Sequence, residues 1–188
     1  MILSKIGAFL LDFLETIVVG ASIFVIIYLF LMQPHEVKGG SMEPAFYNGQ
    51  YILTDKISFK FHDPNRGDVI IFKSPDNPDV DYIKRVIALP GEAVRVQNGT
   101  LYVNEKPLPE SYEADKTTIL ENGFLKEGEE ITVSADHYFV MGDNRFHSSD
   151  SRKFGPIPKD SIIGRAFFRY WPPNYLGQLP KIKYPNFN

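Results

Sequence analysis

Tyr82-Ile83-Lys84-Arg85-Val86-Ile87-Ala88-Leu89, closed by Pro90-Gly91, is rich in β-branched and aromatic residues and reads as a β-strand. Successive side chains in a strand face opposite sides, so Tyr82, Lys84, Val86 and Ala88 share one face while Ile83, Arg85 and Ile87 share the other. Lys84 therefore has apolar or aromatic neighbours on its own face, and Arg85 points away from them. A free lysine titrates near 10.4 and is no base at neutral pH; burial disfavours the ammonium, and a value of roughly 8 corresponds to about 3 kcal/mol of differential solvation. The competing reading is an edge lysine that carries its head out to water.

Working outward from this strand, the same signature recurs at Gln50–Thr54, Asp68–Phe72, Ala93–Gln97, Thr100–Val103, Glu130–Val133, Tyr138–Met141 and Ile162–Arg169, each bounded by Gly, Pro, Asn or Asp. Asn98-Gly99 between two of these runs signals a two-residue hairpin, because both turn positions tolerate positive φ. With 14 prolines and 14 glycines spread along 188 residues, long helices are not expected in this region. Residues 107–128 break the strand rhythm and read as an excursion or small lobe. The Pro-rich tail, 172–188, has no clear period and is expected to wrap the surface or fray.

Upstream the pattern changes. Thr16 to Pro34 carries no charge and, as a helix, would span about 28 Å, close to the hydrocarbon thickness of a bilayer. Apolar residues continue back to Ile6, with Asp12 and Glu15 then lying toward the headgroups. A cleaved secretory signal is the rival, but the run is long for one and Met32-Gln33-Pro34-His35 offers no small-x-small cleavage site. The expected organisation is a tail and membrane anchor over 1–34, a β-rich domain over 35–171 and a tail over 172–188. The fold class is mainly β behind a single transmembrane helix. Lys5 and the amino terminus favour a cytoplasmic N-terminus, a bias that Asp12 and Glu15 dilute.

Composition excludes several classes of function. A net charge of −3 gives no electrostatic footprint for nucleic acid. Cysteine is absent, which removes thiol catalysis and zinc–thiolate sites. The four histidines, at 35, 62, 137 and 147, show no paired ligand spacing, so no metal or other cofactor is expected.

Two further segments can carry chemistry. Gly39-Gly40-Ser41-Met42-Glu43-Pro44 puts a hydroxyl on a glycine-rich turn just beyond the anchor; a serine becomes a nucleophile when a base stands beside it. The bland reading of Gly39-Gly40-Ser41 is a flexible joint between anchor and domain. Gly142-Asp143-Asn144-Arg145-Phe146-His147-Ser148-Ser149-Asp150-Ser151-Arg152 follows the strand Tyr138–Met141 and reads either as a solvated turn or as a hydrogen-bonded loop holding a catalytic amine. In the second reading Asp150 pairs with Arg152, and Ser148 accepts a hydrogen bond from Lys84.

Taken in order, Gly40-Ser41-Met42-x-Pro44, Arg66-Gly67-Asp68-Val69-Ile70-Ile71-Phe72, Tyr82 to Val86 with Leu89-Pro90-Gly91-Glu92, and Gly142-Asp143-Asn144-Arg145 through Ser149-Asp150-Ser151-Arg152, behind an N-terminal anchor, resemble the type I signal peptidases. These are membrane-bound Ser/Lys proteases that remove signal peptides from exported preproteins. The resemblance implies Ser41 as nucleophile of an acyl-enzyme mechanism, Lys84 as general base and Ser148 as the residue orienting the lysine. It also implies Asp150 and Arg152 as a supporting pair, with Asp143, Asn144 and Arg145 in the same supporting loop. Pockets for small side chains fall on Val37, Met42, Phe46, Tyr82 and Ile83. By the same resemblance, the β-rich domain is catalytic, stands on the outer side of a bacterial plasma membrane and works on signal-peptide-bearing preproteins at the bilayer; a monomer is expected.

The sequence departs from that pattern in two places. Gly39 stands where many relatives carry a serine that helps bind the oxyanion, and a serine there is expected to retain or raise activity. Phe146 and His147 replace polar residues. Three other readings remain: an anchored β-domain that binds a partner without catalysis, a Ser/His protease using His147 with an aspartate such as Asp143, and a self-cleaving repressor-type Ser/Lys protease.

Overall fold

The structure is a computed structural model, described for residues 2–112, 116–180, 182 and 184. It opens with α1, Ile2–Ile26, which runs on as one π-helical segment, Ile27–Leu31. Within it Lys5–Leu31 is long and apolar enough to cross a membrane, and none of that span is buried against the rest of the chain. The helix starts earlier than Ile6 and stops earlier than Pro34. Met32–Glu36 form a strand, β1, because β2, Tyr51–Asp55, offers them an antiparallel partner with Met32 opposite Asp55 and Glu36 opposite Tyr51. Charge and hydropathy do not register that pairing, and Pro34 sits in the edge strand, where a missing N–H is tolerated.

The chain continues through a short helix, α2 (Ser58–Phe61), then β3 (Val69–Lys73), β4 (Asp81–Ala88), β5 (Ala93–Gln97), β6 (Thr100–Val103), β7 (Lys106–Pro107), β8 (Glu130–Thr132) and β9 (His137–Met141). It finishes with α3 (Ser151–Phe154), β10 (Ile157–Pro158), β11 (Ile162–Trp171) and β12 (Gly177–Gln178). All eight expected strands are present, shifted at their ends by at most two residues. The main sheet runs β1-β2-β11-β3-β4-β9-β10 with β12 on β11, and a smaller sheet runs β7-β6-β5-β8. Asn98 and Gly99 both adopt positive φ, 52° and 78°, as the β5–β6 hairpin requires.

Three apolar clusters hold the sheets. Ile87, Val94, Val96, Leu101, Val103, Leu125 and Phe139 join the small sheet to the large one. Ile70, Phe72, Val86, Tyr138 and Val140 pack on one face of the large sheet, and Ile52, Val69, Ile71 and Ile83 on another. The excursion 107–128 contributes Leu108, Tyr112, Thr117 and Leu125 to the interior. The tail wraps the surface at least as far as Leu179, whose N–H donates to Phe167 O at 3.1 Å. Residues 181, 183 and 185–188, to which the expectation of fraying also applied, lie outside the described residues.

Candidate active site

Residues 37–50 leave β1 and return to β2 as a lobe closed at its neck, where Val37 N–H donates to Gln50 O and Gly49 N–H to Val37 O, each at 2.8 Å. Met42 and Phe46, 0 % and 1 % exposed, pack against Ile52, Val69, Ile71 and Ile83. Burying a side chain of this size contributes roughly 1.5–3 kcal/mol, so the two residues fasten the lobe onto the sheet and carry Ser41 across it. They lie within the core and are not among the residues lining the cleft described below.

On the far side, Arg85 pairs with Met141 in the β4–β9 ladder, and there β9 ends. Beside Lys84 the neighbouring strand has therefore given way to the loop that begins at Gly142. Asn144 N–H donates to Ser41 O at 3.1 Å, so this loop grips the serine through its backbone. At Gly142 a Cβ would meet Ser148 Oγ at 2.3 Å and Ser41 O at 2.4 Å; only glycine lets the two segments approach this closely.

Lys84 is 4 % exposed, and its Nζ donates to Ser41 Oγ at 2.8 Å and to Ile83 O at 2.9 Å. The ammonium also stands 5.3 Å from the centre of the Tyr82 ring. Burial drives its pKa down from 10.5 to about 8; Asp150 and Asp143 oppose this and Arg152 reinforces it. The opposition is weak for a structural reason. Each carboxylate is claimed by its own arginine: Arg85 Nε and Nη2 reach Asp143 at 2.8 and 2.6 Å, and Arg152 Nε and Nη2 reach Asp150 at 2.8 Å each.

The loop 142–152 is thus no solvated turn. Asp150 also accepts from Gly142 N–H at 3.1 Å and from Arg152 N–H at 3.2 Å, Arg145 Nε donates to Gly142 O at 3.0 Å, and Arg152 Nη2 donates to Arg145 O at 2.8 Å. Asn144 Oδ1 accepts from His147 N–H at 3.3 Å. Ser148 is buried beside Gly142, yet its hydroxyl makes no hydrogen bond among the described residues, and the expected contact from Lys84 is not formed. The ammonium spends its donors on Ser41 and on its own strand's carbonyl instead.

Sequence reasoning missed two members of this network. Arg85 points away from Lys84, as alternation requires, but into the interior; a charged side chain in a strand covered on both faces must find a buried partner, and that signal was available. Glu110 gave none. It reaches Arg145 Nη1 at 2.9 Å from the excursion, and Arg145 also contacts Thr117, while Arg152 Nη1 donates to Thr118 O at 2.7 Å. The excursion buttresses the loop.

A cleft of about 680 Å³ opens over Ser41 and Lys84, with Val37, Tyr82 and Ile83 on its walls. His35 lines it too; burial holds this imidazole below its ordinary pKa although Asp81, 3.5 Å away, opposes the shift. His147 lies at the rim, exposed, and its ring makes no hydrogen bond to Ser41 among the described residues. Gly39 has φ +82° and donates its N–H to Asn48 Oδ1 at 2.8 Å. A serine at this position meets open space but a left-handed backbone, which works against the expected gain from a hydroxyl there.

Residues 10–171 match the family model described as signal peptidase, peptidase S26. A probable signal peptidase I-2 from Synechocystis sp. is 36 % identical over 88 % of this chain and 75 % of its own length. Signal peptidase IB of Staphylococcus aureus is 35 % identical over 86 % of this chain and 91 % of its own. A crystal structure of a signal peptidase I from Enterococcus faecalis V583 shares 38 % identity and covers 55 % of this chain and 97 % of that one, with a TM-score of 0.46; the fold therefore rests on the strands described above. The single N-terminal apolar helix accords with a membrane-anchored member of the group. This chain belongs to the signal peptidase family, peptidase S26, and is a serine endopeptidase of the signal peptidase I kind, which removes signal peptides from preproteins.

Proposed function

We propose that Ser41 is the nucleophile of this peptidase and Lys84 its general base. The observation that carries the reading is the 2.8 Å contact between Lys84 Nζ and Ser41 Oγ in a site where burial lowers the amine to about 8. Neutral Lys84 takes the Ser41 proton as Oγ attacks the scissile carbonyl, and returns it to the departing amine. Water, deprotonated by the same amine, then releases the acyl group. The carbonyl oxygen that turns negative needs N–H donors, and the Ser41 backbone N–H is the nearest candidate.

Asp143, Asn144, Arg145, Asp150 and Arg152 act as positioning residues that hold the Gly142 loop against Ser41. Val37, Tyr82 and Ile83 line the cleft where small side chains one and three before the scissile bond would sit. Residues 35–171 form the catalytic part, monomeric and on the outer side of a bacterial plasma membrane, with the N-terminus cytoplasmic. The test is cleavage of a purified small-x-small preprotein in detergent. Ser41→Ala and Lys84→Ala are each expected to lose at least about 10³-fold in kcat, and the double variant little more, because the pair works as a unit. Full activity in Lys84→Ala with loss in His147→Ala would transfer the base to the histidine.

A further inference from the structure

We infer that a groove at the exit of the anchor helix binds the headgroup of an anionic phospholipid. The inference rests on reading α1 as a membrane span and is independent of the roles of Ser41 and Lys84. The last charges before the uncharged part of the helix are Asp12 and Glu15. From Asp12 to Leu31 a helix rises about 28 Å, so with Asp12 at one headgroup layer Leu31 lies at the other. Lys56 N–H donates to Leu31 O at 2.9 Å, which fixes the loop leading into α2 at that same depth.

The groove, about 320 Å³, lies between Leu29 and Phe30 of the helix and Lys56, Phe59 and Lys60 around α2, with Lys159 and Asp160 on its edge. Its charges are unequally occupied. Lys159 is paired with Asp63 at 2.5 Å. Asp55, beside Lys56, accepts from the N–H groups of Ile57 and Ser58 at 2.9 and 3.0 Å, where the chain turns into α2. Lys56 Nζ rests on a neutral acceptor, Gln33 Oε1 at 3.3 Å, and Lys60 is exposed with no ion pair to a carboxylate among the described residues.

Asp160 sets one carboxylate against the ammonium groups of Lys56 and Lys60, which leaves a net positive charge above an apolar wall and suits a phosphodiester whose acyl chains run down Leu29 and Phe30 into the bilayer. Phe61, 83 % exposed on α2, would dip into the interface, where an aromatic ring is favoured. A free phosphate would use the lysines and leave the apolar wall idle, which is the reason to assign the site to a lipid.

The experiment is native mass spectrometry of the full chain in a neutral detergent, titrated with phosphatidylglycerol or phosphatidylcholine. Phosphatidylglycerol should be retained in preference, K56Q/K60Q should weaken its retention by roughly 30-fold, and K56R/K60R should preserve it. Unchanged retention by K56Q/K60Q, equal retention of phosphatidylcholine, or displacement of the lipid by equimolar glycerol phosphate would each overturn the site. Should K56Q/K60Q fail to fold, K60Q alone, at an exposed position, should lose about fivefold, and no loss there overturns the proposal in the same way.

Discussion

Lys84 and Arg85 are consecutive cations in one strand, both 4 % exposed, and the protein treats them in opposite ways. Arg85 enters a made-to-measure site. Asp143 meets its fork with both oxygens, Gly67 O accepts from Nη1 at 2.9 Å, and the Tyr112 ring lies 4.3 Å beneath the guanidinium. Burial works against both charges of this pair, pulling Arg85 down and pushing the Asp143 carboxyl up. A guanidinium donating to two separate oxygens needs a carboxylate there, so the ionised pair is the state the geometry favours, and Arg85 ends above its ordinary value. Lys84 has a hydroxyl, a carbonyl and an aromatic face, and no carboxylate in direct contact. Its charge is poorly supported, which is what the proposed role as a base requires. The same strand thus holds one cation in a bidentate ion pair and one, the proposed base, without a carboxylate bound to it among the described residues.

The strongest way to break this comparison is to remove each charge in turn while keeping the volume. Arg85→Met strands a buried Asp143 and should cost about 3–5 kcal/mol. Lys84→Met removes a penalty and should stabilise by up to about 3 kcal/mol. The sign follows from proton binding: between pH 8 and 10.5 the unfolded chain holds the Lys84 proton and the folded chain releases it, so wild-type stability rises with pH across this window. The gain in Lys84→Met is therefore greatest below pH 8 and fades by 10.5. Denaturant unfolding of both variants at pH 7 and pH 10 checks this, and destabilisation by Lys84→Met at pH 7 would contradict a penalised lysine.

Gly142→Ala sharpens the comparison from the other side, because it forces the loop away from Ser41 without touching either charge. A displacement of about 1 Å is worth on the order of 10²-fold in kcat, so preprotein cleavage should fall by that much while far-UV circular dichroism stays native. An alanine that cleaves like wild type would mean that the loop does not fix the serine.

The pH profile gives a smaller, graded effect. Below about 8 the fraction of neutral Lys84 falls tenfold per pH unit, so kcat/KM should climb with unit slope from pH 6 and flatten above 8. A flat profile across that range, with the enzyme folded, would remove Lys84 as the base. The smallest effect belongs to Gly39→Ser. The left-handed backbone costs a serine about 1 kcal/mol, so a few-fold loss in rate and a small drop in Tm are expected. A rate above wild type would mean that the added hydroxyl supports the oxyanion by more than the strain costs.

The strands, the hairpin at Asn98-Gly99 and the apolar helix were readable in the sequence because alternation, positive-φ turn residues and hydropathy are local properties of the chain. So were the serine, the lysine and the Asp150–Arg152 pair, the last because its partners stand two residues apart. Long-range pairing alone decided the rest. It ended the anchor at Leu31, since β2 returns from nineteen residues downstream to claim Met32–Glu36. It buried Met42 and Phe46, since only the assembled sheet shows which side of the lobe faces the core. It gave Arg145 to Glu110 and left the Ser148 hydroxyl without a partner among the described residues, since a short-range pattern carries no information about a contact 35 residues away or about which of several acceptors a lysine will use. Residue types determined which chemical groups the chain carries; the closure of a β-sheet around one lysine, with Asp143 and Asp150 each held by an arginine, decided where they meet.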